Sequence, residues 1–307
     1  MNVPTVSVVL PAHNEAAALP AVVERILAAL GGESTEVIVV DDGSTDETWA
    51  AIRTLAGRHP NVRGLKLARN FGHQAALLAG LGAARGEAVA MLDADGQHPP
   101  ELLPRMVELW RDGAAVVQGV RQATDGEGVF KRLSSRLFYR LLTTLAGVDL
   151  KSGSADFRLL SRPAVDAVLA AAGPAPFLRG LIPWLGLPTA SLPFTAERRL
   201  AGKTSYTVRR MVRLSLDGIL GFSVVPLRLA VGLGALVSLV SFLYLVYVLA
   251  IRLKTGEAVP GWASTAGLLS LLGGIQLLTL GILGEYLGRV FTATLGRPQY
   301  VVAERVG

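Results

Sequence analysis

The stretch Met91-Leu92-Asp93-Ala94-Asp95-Gly96-Gln97 decides the fold. The apolar run Ala88-Val89-Ala90-Met91-Leu92 leads into two carboxylates one residue apart. Gly96 and Pro99-Pro100 follow at once, so a buried strand must end and turn here. Open α/β sheets bind ligands at the C-terminal ends of their strands. Two acids with a single spacer at such an end suit a hard divalent cation that also holds a diphosphate. Asp and Gly are ordinary turn residues as well, so an isolated Asp-x-Asp reads as an acidic turn. The neighbouring segments decide between the two.

Three more apolar runs lie upstream, at residues 6–10, 36–40 and 62–67. Each precedes a segment with helical spacing, at 16–30, 47–57 and 75–84. Strands alternating with helices imply a parallel sheet covered on both faces. Polar clusters close all four strands: Asn14-Glu15, Asp41-Asp42, Arg69-Asn70 and Asp93 with Asp95. In a parallel sheet those ends share one edge, so separate clusters converge on one cleft, as a nucleotide site requires. A fifth strand at 116–121 ends in Arg121. No Gly-x-Gly-x-x-Gly follows the first strand and no Gly-x-x-x-x-Gly-Lys-Ser/Thr occurs, which argues against dinucleotide and P-loop folds.

Pro11-x-x-Asn14-Glu15, Asp41-Asp42-Gly43-Ser44-x-Asp46, Arg69-Asn70-x-Gly72 and Asp93-x-Asp95-x-Gln97 resemble, in order and spacing, the family 2 glycosyltransferases. The resemblance implies a GT-A fold, a Rossmann-like, mostly parallel sheet with helices on both faces. It also implies that Pro11, Asn14, Glu15, Asp41, Asp42, Asn70, Asp93, Gln97 and Arg198 bind a nucleotide sugar. Glu15, Asp41 and Asp42 are the expected base and ribose contacts. Asp93 and Asp95 are the expected ligands of Mg²⁺ or Mn²⁺, and Asp95 counts as catalytic. Such chemistry needs the ion because the leaving nucleoside diphosphate gathers negative charge. His73 and His98 lack further ligand spacing and read as polar loop residues.

The segment from Ser152 to Leu160 resembles the one carrying the family's catalytic Asp, which makes Asp156 the candidate base. A sugar hydroxyl needs a base, whereas a phosphate monoester, with a second pKa of about 6, is already ionised. With a lipid phosphate as acceptor, Asp156 would position groups more than remove a proton. Residues 197–206 look like the Arg-x-x-Gly-x-Ser/Thr-x-Tyr stretch of polyprenyl-phosphate glycosyltransferases, with Arg198 and Lys203 on phosphate oxygens. The same resemblance places the acceptor phosphate against Arg121, Arg132, Ser135 and Lys203, with Ser134 a near alternative to Ser135. Residues 129–147 and 207–226 mix basic and apolar positions at helical spacing, as interfacial helices do.

Composition agrees with a membrane location. Of 307 residues 51% are hydrophobic and only 18% charged, and the net charge is +6. Mean hydropathy is +0.44 and the pI is near 9.9. That balance fits an anionic partner such as phospholipid head groups or phosphorylated substrates. The absence of cysteine excludes disulfides, thiolate metal sites and cysteine nucleophiles. The N-terminus reads as lacking a signal peptide. Residues 229–251 and 258–284 are uncharged runs of 23 and 27 residues, long enough to span a bilayer, and a short connector makes them a hairpin. Seven Lys/Arg lie between Glu197 and Arg228, against two in the connector, so the positive-inside rule puts both termini in the cytoplasm. The expected layout is a catalytic domain over 1–206, a juxtamembrane helix over 207–226, two spans within 227–287 (about 229–251 and 262–284) and a cytoplasmic tail over 288–307.

Together these readings predict an inverting enzyme of the bacterial cytoplasmic membrane. It would move a single sugar, UDP-glucose being the first donor expected, to polyprenyl (undecaprenyl) phosphate. The expected partners are the nucleotide-sugar donor, the acceptor lipid and the membrane, with no nucleic acid, and a homo-oligomer such as a tetramer is compatible. Alternatives are a GDP-mannose-dependent polyprenyl-phosphate mannosyltransferase, a processive polysaccharide synthase and a non-catalytic lipid-carrier scaffold. A processive synthase would carry Gln-x-x-Arg-Trp, and no Trp here follows an Arg. A scaffold would have lost cleft acids that this chain keeps.

Overall fold

The structure is a computed structural model that describes residues 4–122, 154–174, 176–197, 223–255 and 261–307. The chain divides into two compact units. One comprises Met1–Thr144, Val148–Arg213 and Arg297–Gly307, the other Leu145–Gly147 and Leu214–Gly296.

The first unit is built on a mixed sheet in the order β7-β5-β6-β4-β1-β2-β3-β8. Its strands are β1 Val6–Ala12, β2 Thr35–Asp41, β3 Val62–Leu67, β4 Ala88–Met91, β5 Val116–Arg121, β6 Ser154–Ser161, β7 Thr189–Phe194 and β8 Val302–Val306. β4, β1, β2 and β3 run parallel, and every residue of β1 and β4 is buried, as unbroken apolar runs demand in a sheet covered twice. Helices α1 (Leu19–Ala29), α2 (Thr48–Arg58) and α4 (Leu103–Arg111) share one core with the sheet. α1 shows why: Pro20 starts it, and Leu19, Val22, Val23 and Ile26 form a buried stripe at helical spacing. Helices α3 (His73–Ala83), α5 (Arg162–Ala171) and α6 (Leu178–Trp184) are the other helices of this unit among the described residues. α3 packs on β1 and β2 with Gly80 against the strand, since a Cβ there would overlap the Val9 side chain.

Three features depart from the sequence reading. First, β6 is antiparallel to both β4 and β5, so the sheet is mixed and Asp156 lies in a strand. Second, α3 begins at His73 rather than at 75. Gly72 turns the chain at φ 98°, and its carbonyl accepts from Ala75 N and Ala76 N, so His73 and Gln74 enter the first helical turn. Third, residues 288–307, expected as a cytoplasmic tail, carry regular structure. The last helix continues to Thr294, and Val302–Val306 returns as β8, antiparallel to β3. Without β8 the N–H and C=O groups on that side of β3 would be unpaired. Gln299 ties the same segment to the carbonyls of Ala172 and Gly173 at 2.9 and 2.6 Å.

The second unit contains α7 (Val225–Thr255) and α8 (Trp262–Thr294), which pack on each other. Both are long and apolar enough to cross a membrane, over Val225–Ile251 with mean hydropathy 2.3 and Gly267–Thr294 with 1.8. Their outward side chains are apolar, among them Leu229, Phe242, Leu277 and Phe291, each more than half exposed. Such a surface suits lipid better than water. The expected helices at 129–147 and 207–226 lie outside the described residues.

Gly43, at φ 62°, lets the turn after β2 touch the backbone after β3; a Cβ there would overlap the Arg69 carbonyl carbon and the Asn70 nitrogen. Gly43→Ala is therefore expected to destabilise the first unit by about 2 kcal/mol or more, through strain and steric overlap. Thermal unfolding followed by tryptophan fluorescence in detergent checks it; a wild-type transition would mean the two turns are not in contact.

Candidate active site at the C-terminal sheet edge

Parallel pairing puts the ends of β1 to β4 on one edge, with Ala12 beside Asp41 and Val9 beside Met91. The loops beyond β1 and β2 are knit together. Asn14 adopts φ 58°, a left-handed conformation that Asn tolerates. Its Oδ1 accepts from Thr45 N at 2.9 Å while its own N donates to Ser44 Oγ at 3.0 Å. Glu15 N donates to Thr48 Oγ1 at 2.9 Å. Pro11 is buried within β1, paired with Val40 of β2 one residue before the strand ends.

The two acids after β2 do different things. Asp42 is buried, and its two oxygens accept from Phe71 N at 2.7 Å and Gly72 N at 2.9 Å. It anchors the loop that carries Asn70. That side chain lies 3.3 Å from both ring nitrogens of His13. Asp41 is fully buried; Oδ1 accepts from Ser44 N at 2.9 Å, and Oδ2 has no partner. A buried carboxylate oxygen without a donor costs about 1–3 kcal/mol or more, so it calls for one.

Beyond β4 the edge carries a chain of alternating charge. Asp93 Oδ1 lies 2.7 Å from His73 Nε2, His73 Nδ1 lies 3.7 Å from Asp156 Oδ2, and Asp156 Oδ2 lies 2.9 Å from Arg179 Nη2. Antiparallel β6 makes this possible. Arg158 pairs with Met91, so the strand's N-terminal end, with Asp156, reaches the edge where β4 stops. Burial opposes charge on His73, but its hydrogen bond to Asp93 and the charges of Asp93 and Asp156 raise its pKa to about 9. Burial likewise opposes charge on the acids. Arg179 and His73 nevertheless hold Asp156 well below the usual carboxylate range, and His73 lowers Asp93. Arg158 is fully buried, with Nε and Nη2 unpartnered; burial, against the pull of Asp156, pushes its pKa down to about 10.

Asp95 is buried and accepts from Gln97 N at 3.0 Å, an Asx turn that fixes the corner after β4. His98 is buried too, stacked on Phe157 at 5.3 Å, and its Nδ1 accepts from Asp93 N at 3.0 Å. It is a packed core residue that pins Asp93. Among the described residues no group of three or more His, Cys, Asp or Glu side chains could hold a metal alone. A small hard cation usually takes one or two carboxylates and fills its shell with substrate phosphates and water. Asp95, with Asp93 beside it, fits that pattern.

Arg121, at the end of β5, is exposed on the same edge. Arg132, Ser135, Arg198 and Lys203 lie outside the described residues. Glu197, next to Arg198 in the chain, is anchored. Its N donates to Gln97 O at 3.1 Å, and Arg25 grips it together with Glu101, each through two contacts of 2.8–3.0 Å. The sequence reading missed Gln74, Arg158 and Arg179 as site residues and took His73 for a loop residue. His73 and Gln74 had a signal, since they follow Arg69-Asn70-x-Gly72 directly. Arg179 had none, standing 23 positions beyond Asp156 with no motif between.

Comparison with known proteins agrees with this geometry. The family model for Glycosyl transferase family 2 matches residues 7–169. The chain is 38% identical to an uncharacterized glycosyltransferase, YkcC, of Bacillus subtilis, over 98% of this chain and 94% of that one. It is 34% identical to the prophage bactoprenol glucosyl transferase homolog of Escherichia coli, over 97% and 98% of the two chains. Identity to the bactoprenol glucosyl transferase of Shigella phage SfX is also 34%, over 98% and 99%. Among solved structures, glucosyl-3-phosphoglycerate synthase from Mycobacterium tuberculosis superposes with a TM-score of 0.53 at 24% identity, covering 71% of this chain and 76% of that one, a likeness of fold. With its motifs in order along the sheet edge and relatives alike over nearly the whole length, this chain belongs to glycosyl transferase family 2.

Proposed function

We propose that this glycosyltransferase moves one glucose, with inversion, from UDP-glucose to polyprenyl phosphate at the cytoplasmic face of the bacterial inner membrane. The observation that carries this reading is likeness over nearly the full length to chains named bactoprenol glucosyl transferase. The pair of apolar helices supports it, since a lipid acceptor requires a protein held at the bilayer. Return of β8 to β3 means that both ends of the α7–α8 hairpin lead into the same unit, as they must if the chain crosses the membrane twice.

The residues divide the work. Asp41 Oδ2 lacks a donor, which a base N–H or a ribose hydroxyl would supply; Asn14, Glu15, Asn70 and Arg198 are assigned to the same nucleotide-sugar donor. Asp95 and Asp93 would hold Mg²⁺ or Mn²⁺, which when bound neutralises the departing diphosphate. The related fold of glucosyl-3-phosphoglycerate synthase was solved with Mn²⁺ and UDP. Gln97 fixes the Asp95 turn. On the acceptor side, a phosphate oxygen forms the bond to the anomeric carbon as the bond to UDP breaks. Two unit charges 4 Å apart repel by about 4 kcal/mol at an effective dielectric of 20, so one anion approaching another needs fixed cations. Arg121, Arg132 and Lys203, with Ser135 as hydrogen-bond donor, are assigned that task.

Purified protein given radiolabelled UDP-glucose and undecaprenyl phosphate is expected to move counts into the lipid phase. EDTA should stop transfer and Mg²⁺ or Mn²⁺ restore it, and Asp95→Asn should lower it about 100-fold or more. Full activity in chelator would remove the metal assignment, and label in lipid only with GDP-mannose would replace the donor. For topology, reporters after Gly307 and within residues 252–257 are expected on opposite sides of the membrane. The same side for both would contradict the hairpin.

A further inference from the structure

Asp156 is not the group that faces the cleft. Its side chain is 2% exposed, whereas the Arg179 side chain paired with it is 30% exposed. Arg179 Nε donates to both Asp156 oxygens at 3.1 Å, and Nη2 donates to Oδ2 at 2.9 Å. A substrate hydroxyl would have to displace that fork before it met the carboxylate. The backbone beside Arg179 is held as firmly. Leu178 N donates to Gln74 Oε1 at 2.8 Å, and Arg158 Nη1 donates to the Leu178 carbonyl at 3.1 Å. Gln74 Nε2 closes the ring by donating to Asp156 Oδ2 at 3.4 Å. Side chains from α3 and β6 thus fix one arginine of α6. Its rotamer freedom is lost on folding, before any ligand arrives.

The place of this arginine matters as much as its rigidity. β6 lies on the far side of β4 from β1 and β2. Arg179 therefore stands across the Asp93–Asp95 turn from the loops around Asn14 and Asp41, toward the β5 end that carries Arg121. A guanidinium is a planar fork of five N–H donors, a geometry that suits phosphate oxygens as well as carboxylates.

We propose that Arg179 contacts the acceptor's phosphate and that Asp156 is the residue that positions it. This rests on the phosphate-bearing acceptor assigned above. An ionised phosphate attacks the anomeric carbon without giving up a proton, the bond to the UDP oxygen breaks, and UDP leaves with the electron pair. No base is required, and Asp156 is released to aim the cation.

The test uses the full chain in detergent with UDP-glucose, undecaprenyl phosphate and Mn²⁺, and with UDP binding as a separate measurement. Arg179→Ala and Asp156→Asn are each expected to raise the KM for undecaprenyl phosphate by about tenfold or more, with UDP affinity within about twofold of wild type. Arg179→Lys, which keeps the charge and loses the fork, should recover part of that loss. The double variant should resemble Arg179→Ala alone, since one residue acts through the other. Retained UDP binding shows that the variants fold. A fall in kcat for Asp156→Asn at unchanged acceptor KM would make Asp156 the base and overturn the proposal. So would loss of UDP affinity in Arg179→Ala, which would assign the arginine to the donor. Failure of the wild type itself to glycosylate the lipid phosphate would remove the acceptor assignment as well, and is read before any variant.

Discussion

Parallel pairing of β4 with β1, β1 with β2 and β2 with β3 is the constraint on which the site depends. Each strand is apolar and buried, so the registers are held by the core and not by the polar residues that follow. Once the registers are set, the polar loops have nowhere to go but one edge. Four turns distant in sequence become neighbours, and their remaining freedom is removed by hydrogen bonds between loops, such as Asp42 to the backbone of residues 71 and 72. The carboxylates are costly to bury, and the stability of the sheet offsets that cost.

The antiparallel strand β6 supplies what a purely parallel sheet would lack. Running against β4, it delivers Asp156 to the edge at which β4 delivers Asp93. His73 stands between the two acids and Arg179 closes the row, so negative and positive groups alternate along this edge. Neighbouring opposite charges keep each group ionised despite burial. A row held this way needs little rearrangement to keep its charges in place, which is what the proposed donor diphosphate and acceptor phosphate would require of it.

Most of the sheet was legible in the sequence because buried parallel strands leave unbroken apolar runs. β1 to β5 fall within two residues of the runs that announced them. The acids that close those strands were legible for the same reason, since the fold puts strand ends and site in one place. β6 was read for its Asp rather than as a strand, because Ser154 to Ser161 mixes charged and apolar residues. Asp156 and Arg158 face away from the core that takes Phe157 and Leu159. β8 was missed because its pattern is short and its partner strand is more than 200 residues away in sequence. Arg179 was missed because its meaning is entirely tertiary. Nothing local marks an arginine on a short helix as the partner of a carboxylate on a strand.

In the proposed reaction a diphosphate and a metal ion share the edge at Asp95. Titration of Mn²⁺ into the purified protein, followed by the paramagnetic resonance signal of the free ion, measures this directly. Two carboxylates, with no third protein ligand among the described residues, should bind Mn²⁺ weakly alone, more tightly by about tenfold or more once UDP is present, and no better with UDP in Asp95→Asn. Equal Mn²⁺ affinity with and without UDP, or undiminished coupling in Asp95→Asn, would contradict it.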